Sequence, residues 1–358
     1  MLNRLLSHDL PRNRWLALLL ALIVLALALT PFIFPGTKAL NVAAKIIVFI
    51  VLAASFDLLL GYTGIVSFAH TMFFGIGAYG VAIAATRLGP GWPAVAVGAL
   101  AALALSTVLS LMIGLFSLRV RAIFFAMITL AVASAFLTLA SQLSDLTGGE
   151  DGLSFKVPEA LQPGTSYLEE PFLGAAIDGR FVTYYALFFA ALALVLLLLR
   201  IVNSPFGRVL QAIRENDFRA EAIGYRTVVY RTLSSVLSAL FATLAGVLLA
   251  LWLRYNGPDT TLSFEIMLDV LLIVVIGGMG TVYGAVIGSV LLVLAQNYLQ
   301  DLMKLGASAV EGVPILSQLV SPDRWLLWLG ILFVLSVYHF PTGVVGRLRA
   351  QKRPKPSA

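Results

Sequence analysis

Cysteine is absent from the chain, which removes disulfide frameworks, thiolate metal sites and cysteine nucleophiles from consideration. Charge is scarce as well: Asp, Glu, Lys and Arg make up 12% of the residues, against about 25% in ordinary soluble domains. There is no G-x-x-x-x-G-K-[ST] element to hold ATP, no H-E-x-x-H helix and no G-x-S-x-G elbow. The three histidines, His8, His70 and His339, are too scattered to suggest a metal cluster. Neither a metal nor a cofactor is expected, and a hydrolytic enzyme has no visible catalytic set. What the chain has in abundance is apolar sequence. Hydrophobic residues account for 60% of it and the mean hydropathy is +0.96, so a soluble fold is excluded.

The segment Trp15–Phe34 shows the pattern: it carries no charge and is mostly Leu, Ala, Ile and Val. At a rise of about 1.5 Å per residue it covers the roughly 30 Å hydrocarbon core, where a helix satisfies its own backbone. The same reasoning predicts ten spans, near 15–34, 39–59, 64–86, 93–118, 122–143, 182–201, 230–253, 262–277, 281–300 and 324–340. The expected fold is an all-α polytopic bundle, a single transmembrane domain over 1–346 followed by a basic, disordered tail at 347–358. Two local alternatives stay open. Arg12, Arg14 and the Ala26-Leu27-Ala28 run could make the first segment a cleaved signal peptide. The third segment opens on Gly61-Tyr62-Thr63-Gly64, flexible enough for a broken or re-entrant stretch.

Cations set the expected orientation. With the N-terminus in the cytoplasm, the inner segments hold Arg4, Arg12 and Arg14; Arg119 and Arg121; Arg200, Arg208, Arg214, Arg219, Arg226 and Arg231; and Arg347, Arg349, Lys352, Arg353 and Lys355. That is sixteen of the 24 Lys and Arg residues, and an even number of spans brings the C-terminal tail back inside, as the positive-inside rule requires. The net charge of +6 is thereby accounted for by topology, and no nucleic-acid partner is expected.

Two connections are long. Residues 144–181 are acidic and face outward on this reading, with Pro158, Pro163 and Pro171 opposing a long helix. They form either a solvated loop or a docking surface. The inward connection, 202–229, begins Asn203-Ser204-Pro205-Phe206-Gly207. Val209, Leu210, Ile213, Ala220 and Ile223 then recur with partial helical spacing among charged residues. Asn216-Asp217 can cap a second short helix and Gly224 can stop it. Such amphipathic helices lie on the membrane surface or dock in a partner's groove.

Ionisable residues inside spans are costly and therefore informative. Asp57 closes the second span, and His70 follows across the Gly61–Gly64 break. Glu265 and Asp269 share one face of the eighth span. These groups could cap and pack helices, or couple an ion to transport. Gly75, Gly77 and Gly80, and Gly277, Gly278, Gly280 and Gly284, suit either close helix packing or a hinge on a substrate path.

Taken in order, several stretches resemble the LivM-type permease subunit of branched-chain amino acid ABC importers. They are Leu60-Gly61-Tyr62-Thr63-Gly64 through Ala69-His70 and Phe73-Phe74-Gly75-Ile76-Gly77-Ala78-Tyr79; Thr147-Gly148-Gly149-Glu150-Asp151-Gly152-Leu153; Ser204-Pro205-Phe206-Gly207-Arg208 through Arg214-Glu215; Ile276-Gly277-Gly278-Met279-Gly280-Thr281; and His339-Phe340-Pro341-Thr342-Gly343. The chain departs from the family pattern at Asp57, where Asn is usual, at Ala69, where Gly is usual, and in a coupling motif reduced to Ala220-x-x-x-Gly224. The resemblance implies an importer subunit in the bacterial inner membrane. Its partners would be a second LivH-type permease, two ATP-binding cassette ATPase subunits that hydrolyse the ATP, and a periplasmic substrate-binding protein, all within membrane lipid. It implies that Arg208, Arg214, Glu215, Asp217, Ala220 and Gly224 belong to the ATPase-coupling loop. Thr147, Gly148, Gly149, Asp151 and Gly152 would face the binding protein. Candidates for the path and its hinges are Asp57, Gly61, Gly64, His70, Gly75, Gly77, Gly277, Gly278 and Gly280. Related permeases are thought to carry branched-chain amino acids, and also urea, short amides or aromatic acids. An ion-coupled secondary carrier using Asp57, Glu265 or Asp269 is the competing reading.

Overall fold

A computed structural model of the chain describes residues 13–34, 36–117, 122–168, 176–309, 321–340 and 342–350. The sequence features at Arg4, His8, Arg12, Arg119, Arg121, Glu169, Glu170, Pro171, Pro341 and 351–358 lie outside the described residues. Ten of the helices are long and apolar enough to cross a membrane. They are built on α1 (Arg14–Ile33), α2 (Thr37–Asp57), α3 (His70–Leu88), α4 (Trp92–Ser117), α5 (Ala122–Gln142), α6 (Gly179–Asn203), α9 (Thr227–Leu253), α10 (Phe264–Gly277), α11 (Val282–Ala309) and α12 (Trp325–His339). Between α6 and α9 lie two short helices, α7 (Pro205–Glu215) and α8 (Asp217–Ala222), and α13 (Gly343–Ala350) closes the described chain. Among the described residues the fold is all-α but for a small antiparallel pair, β1 (Leu153–Ser154) with β2 (Tyr255–Asn256), and an isolated antiparallel bridge between Ser166 and Asp178. The chain is a multi-pass membrane protein.

Burial sorts the spans. α2 is enclosed on every side: Val48, Val51, Leu52, Ala53 and Phe56 are fully buried, and α6, α9, α10 and α11 surround it. By contrast α1, α4, α5 and α12 present Leu22, Leu100, Ile123, Met127 and Val334 openly. Lipid is the solvent that tolerates such a surface.

Close packing follows from the small residues. A Cβ on Gly77 would overlap the Thr243 carbonyl oxygen of α9, and one on Gly246 would overlap the Phe74 carbonyl of α3. The α3 and α9 backbones therefore touch, which supplies the dispersion contact that drives association in lipid. Gly80 and Gly98 make the same approach between α3 and α4.

The third span starts later than the sequence suggests, at His70 instead of residue 64. After Asp57 the chain turns through a wider π-helical segment, Leu58–Thr63, and Gly64 ends it at φ 76°. The stretch 64–69 is then non-helical. Its Phe68 amide donates to the Thr129 hydroxyl on α5 at 3.0 Å, so irregular backbone at this depth is satisfied by the protein itself.

The two ends of the bundle differ in charge. The end with α7 and α8 carries Arg200, Arg208, Arg214, Arg219, Arg226 and Arg231, and the end with the β1–β2 pair carries Asp145, Glu150, Asp151, Glu159 and Asp178. They are called the basic and acidic ends below.

Candidate functional site: a three-way junction at the basic end

Local chemistry builds the first component. Ser204 caps α7, accepting from the Gly207 amide, and Pro205 fills a position where no amide partner is needed. Asn216 ends α7 and caps α8 by accepting from the Arg219 amide at 3.0 Å. Gly224 sits at φ 96° beyond α8, and the Tyr225 amide returns to the Ala220 carbonyl at 3.1 Å. The Asn216 cap and the Gly224 stop are those that the sequence suggests, and the Ser204 cap is added by the structure. The apolar face of the pair (Val209, Ile213 and Ala220) is buried with Tyr230 of α9, and Asp217 pairs with Arg231 at 3.0 Å. The two helices are therefore fixed to their own chain on one face. The other face exposes Phe218 at 86% and Ile223 at 72%.

The second and third components are chain breaks. At the foot of α2, Thr63 Oγ1 donates to the Leu58 carbonyl at 2.9 Å and meets the Ser234 hydroxyl of α9 at 2.8 Å. Between α10 and α11, Gly278 and Gly280 adopt φ of 119° and 80°. There the Thr281 hydroxyl donates to the Gly278 carbonyl at 2.8 Å and accepts from the Gly284 amide at 3.1 Å.

The breaks meet. The Gly280 amide donates to Asp57 Oδ1 at 2.8 Å. Arg214, in the last turn of α7, donates from Nη1 to the Gly61 carbonyl oxygen. A Cβ on Gly61 would overlap both the Asp57 carboxylate and the Gly280 amide nitrogen. One on Gly280 would come within 2.9 Å of Arg214 Nη1 and of the Gly61 carbonyl. The turn before α13 joins them, since a Cβ on Gly343 would overlap the Gly278 backbone. Asp57 is 1% exposed, and among the described residues its Oδ2 has no hydrogen-bond partner within 3.5 Å.

Of the sequence candidates, then, Asp57, Gly61, Gly64, Arg214, Gly278 and Gly280 come together, with Gly277 packed behind them on Gly284. Others do not join. His70 is buried at the head of α3, where Nε2 meets the Ser55 hydroxyl at 2.8 Å and the ring lies beside Phe56. Gly75 faces Leu262 and Gly77 faces Thr243, both as packing positions. Arg208 and Glu215 are exposed on α7 and Ala220 is 2% exposed. Phe218 was not singled out in the sequence; its signal is an aromatic residue set among charges on an otherwise polar face.

At the acidic end, Thr147 to Gly152 fold into a tight loop. Gly148, Gly149 and Gly152 all have positive φ, and the Thr147 hydroxyl reaches the Ala140 and Leu143 carbonyls at 2.6 and 2.7 Å. Tyr255 donates to the Asp151 carbonyl at 3.0 Å, and Phe155, Val157 and Leu161 are buried against Ala78, Val81 and Ala82 of α3. Glu150 and Asp151 remain exposed. Burial, with Arg180 adding to it and Asp178 opposing, holds the Arg254 guanidinium below its ordinary range. Among the described residues no group of three or more His, Asp or Glu side chains is arranged to hold a metal ion.

Comparison with known proteins adds identity. Residues 38–337 match the family described as branched-chain amino acid transport system, permease component. The chain is 27% identical to the high-affinity branched-chain amino acid transport system permease protein LivM of Escherichia coli, over 86% of this chain and 74% of that relative. It is 26% identical to the probable LivM of Methanocaldococcus jannaschii, over 71% and 70%. A shorter similarity, 30% over 46% of this chain and 48% of the relative, is to the autoinducer 2 import system permease protein LsrC of Salmonella typhi. No solved structure matches. The chain belongs to the family of permease components of branched-chain amino acid transport systems.

Proposed function

We propose that the chain is the membrane-spanning permease subunit of an ATP-driven importer that carries branched-chain amino acids inward across the bacterial inner membrane. Both termini and the basic end are cytoplasmic. The full complex contains a second, LivH-type permease, two ATP-binding cassette ATPase subunits that hydrolyse the nucleotide, and a periplasmic binding protein. That protein meets the acidic end around Thr147–Gly152. The named relatives and the cation distribution support this reading.

One observation carries the mechanism: Arg214 of α7 bonds Gly61 beside the Asp57–Gly280 contact. An ATPase that grips the exposed face of α7 and α8, where Phe218 and Ile223 stand open, moves Arg214 with it. That motion pulls on the break after α2 and on the break between α10 and α11 together, so nucleotide-driven closure reaches the spans as rigid-body displacement. Opening hydrates the buried Asp57 carboxylate, and closing restores its bond to Gly280, giving the junction two discrete states.

The test is leucine uptake into proteoliposomes holding the complete complex, with ATP supplied on the cytoplasmic side. Wild type takes up leucine only with ATP. Arg214→Gln keeps ATP hydrolysis and loses most uptake. Uptake that survives ATP depletion and is abolished by a protonophore would overturn the reading in favour of an ion-coupled carrier.

A further inference from the structure

At the acidic end, the upper halves of α2, α9, α10 and α11 part around a cavity of about 700 Å3, within the range of roughly 300–1,000 Å3 usual for small-molecule sites. Its walls are of two kinds. Phe49, Leu249, Trp252 and Ile266 give it apolar surface; the exposed Lys38, Asp259 and Glu265 also line it, and the half-buried Lys45 and Asp269 bring opposite charges to it. Both charges lie inside spans, where an ionisable group is a functional candidate by default.

Neither charge is held in an ion pair among the described residues. Asp269 Oδ1 accepts from the Gln296 amide at 2.8 Å, and the Lys45 ammonium lies 5.2 Å from the Phe49 ring centre. Lys45 is near enough to act on Asp269 electrostatically, yet the described ion pairs are Lys38–Asp301 and Arg231–Asp217, and none joins these two. Lys45 and Asp269, the two half-buried charges among those lining the cavity, do not close on each other and leave room for a molecule that carries both signs. Trp252 is held in the wall by its indole N–H donating to Asn41 at 3.2 Å.

We propose that this cavity is a binding site for the free zwitterionic amino acid within the permease itself. Asp269 receives the α-ammonium, Lys45 the α-carboxylate, and the Phe49–Trp252 wall the aliphatic side chain. The inference rests on the cargo reading above, which it deepens by naming the recognising residues. It also links site to junction. Phe49 and Asp57 are eight residues apart on α2, and Asp269 and Gly277 eight apart on α10, so both helices run about 12 Å from cavity to break. Occupancy of the cavity and the state of the Asp57–Gly280 contact are therefore set by the same two helices.

The experiment uses the assembled complex without its binding protein. Because this chain has no native cysteine, Thr260→Cys on the cavity rim reports access to a thiol reagent, with Ser141→Cys outside the cavity as control. Millimolar leucine slows labelling at Thr260→Cys and leaves the control unchanged. Adding Lys45→Met or Asp269→Asn weakens that protection by at least about tenfold, the loss expected for one charge-assisted hydrogen bond, and Lys45→Arg retains it. Isoamylamine, which lacks the carboxylate, protects wild type poorly and distinguishes it little from Lys45→Met. If the neutral variants fail to assemble, the Thr260→Cys protection by leucine and its absence with isoamylamine decide the matter alone. Labelling blocked in the complex with or without leucine, meaning that another subunit fills the cavity, overturns the site. So does equal protection in Lys45→Met. If wild type takes up leucine under ATP but shows no protection, only this inference fails. If wild type takes up no branched-chain amino acid, the cargo reading fails.

Discussion

The Tyr184 hydroxyl on α6 donates to the Leu27 carbonyl on α1 at 2.5 Å, the carbonyl that Pro31 leaves without a helical partner by lacking an amide hydrogen four residues on. Tyr185 supports the next carbonyl, Ala28, at 2.6 Å. In hydrocarbon a bare carbonyl has no water to turn to. Tyr184→Phe is therefore expected to destabilise the protein by about 1–3 kcal/mol. Pro31→Ala restores the amide, so the pair of changes together should cost less than the sum of each alone. Unfolding in graded SDS measures both; strict additivity would show that the tyrosine does not serve the proline break.

The Asp57 contact separates charge from hydrogen bonding. Asp57→Asn keeps an oxygen to accept from the Gly280 amide and removes a buried ionisable group, so transport is expected within about threefold of wild type and stability unchanged or higher. Asp57→Ala leaves the Gly280 amide bare and costs about 1–3 kcal/mol. Uptake and SDS midpoints for the two variants decide this. Loss of transport in Asp57→Asn with the protein intact would mean that the charge itself is used.

How much of this was legible beforehand varies with distance along the chain. The cap at Asn216 and the stop at Gly224 were readable because each acts within a few residues. All ten spans were visible from length and apolarity, although the ninth runs on to Ala309 where the sequence suggests an end near 300. The late start of α3 was not, because it depends on a π-helical overrun and on Thr129, sixty-one residues from Phe68. The meeting of Asp57 with Gly280 spans 223 residues, and no periodicity reports such a pairing. Family motifs named the segments in order, but not that Gly61 and Gly280 touch while Gly75 and Gly77 pack against Leu262 and Thr243.

Phe218 distinguishes docking from folding. At 86% exposure it gives this chain little stability, so Phe218→Ala should leave the SDS midpoint within about 0.5 kcal/mol. If it seats in an ATPase groove, the same change weakens subunit association by about 2 kcal/mol or more, roughly thirtyfold. Gly224→Asp, at φ 96° with open space around it, should abolish uptake while the chain still inserts; Gly224→Asn tests the same backbone strain without charge. Co-purification of the ATPase subunits at graded salt reads the outcome, and unchanged association in Phe218→Ala would remove α8 from the interface.

Two glycines should respond to alanine with opposite signs. At Gly77 the new Cβ would overlap the Thr243 carbonyl oxygen, which belongs to backbone and cannot swing aside. α3 and α9 must therefore separate, costing about 1–3 kcal/mol by overpacking. At Gly330, in α12, nothing lies within 4 Å of the added carbon and φ is ordinary, so the helix gains roughly 0.5–1 kcal/mol from the lost backbone freedom of glycine. Measured side by side on the isolated chain, the difference reports whether the α3–α9 contact is as close as described. A neutral Gly77→Ala would mean that these two helices are held apart in the membrane, and that the glycines of the third span are free for a hinge.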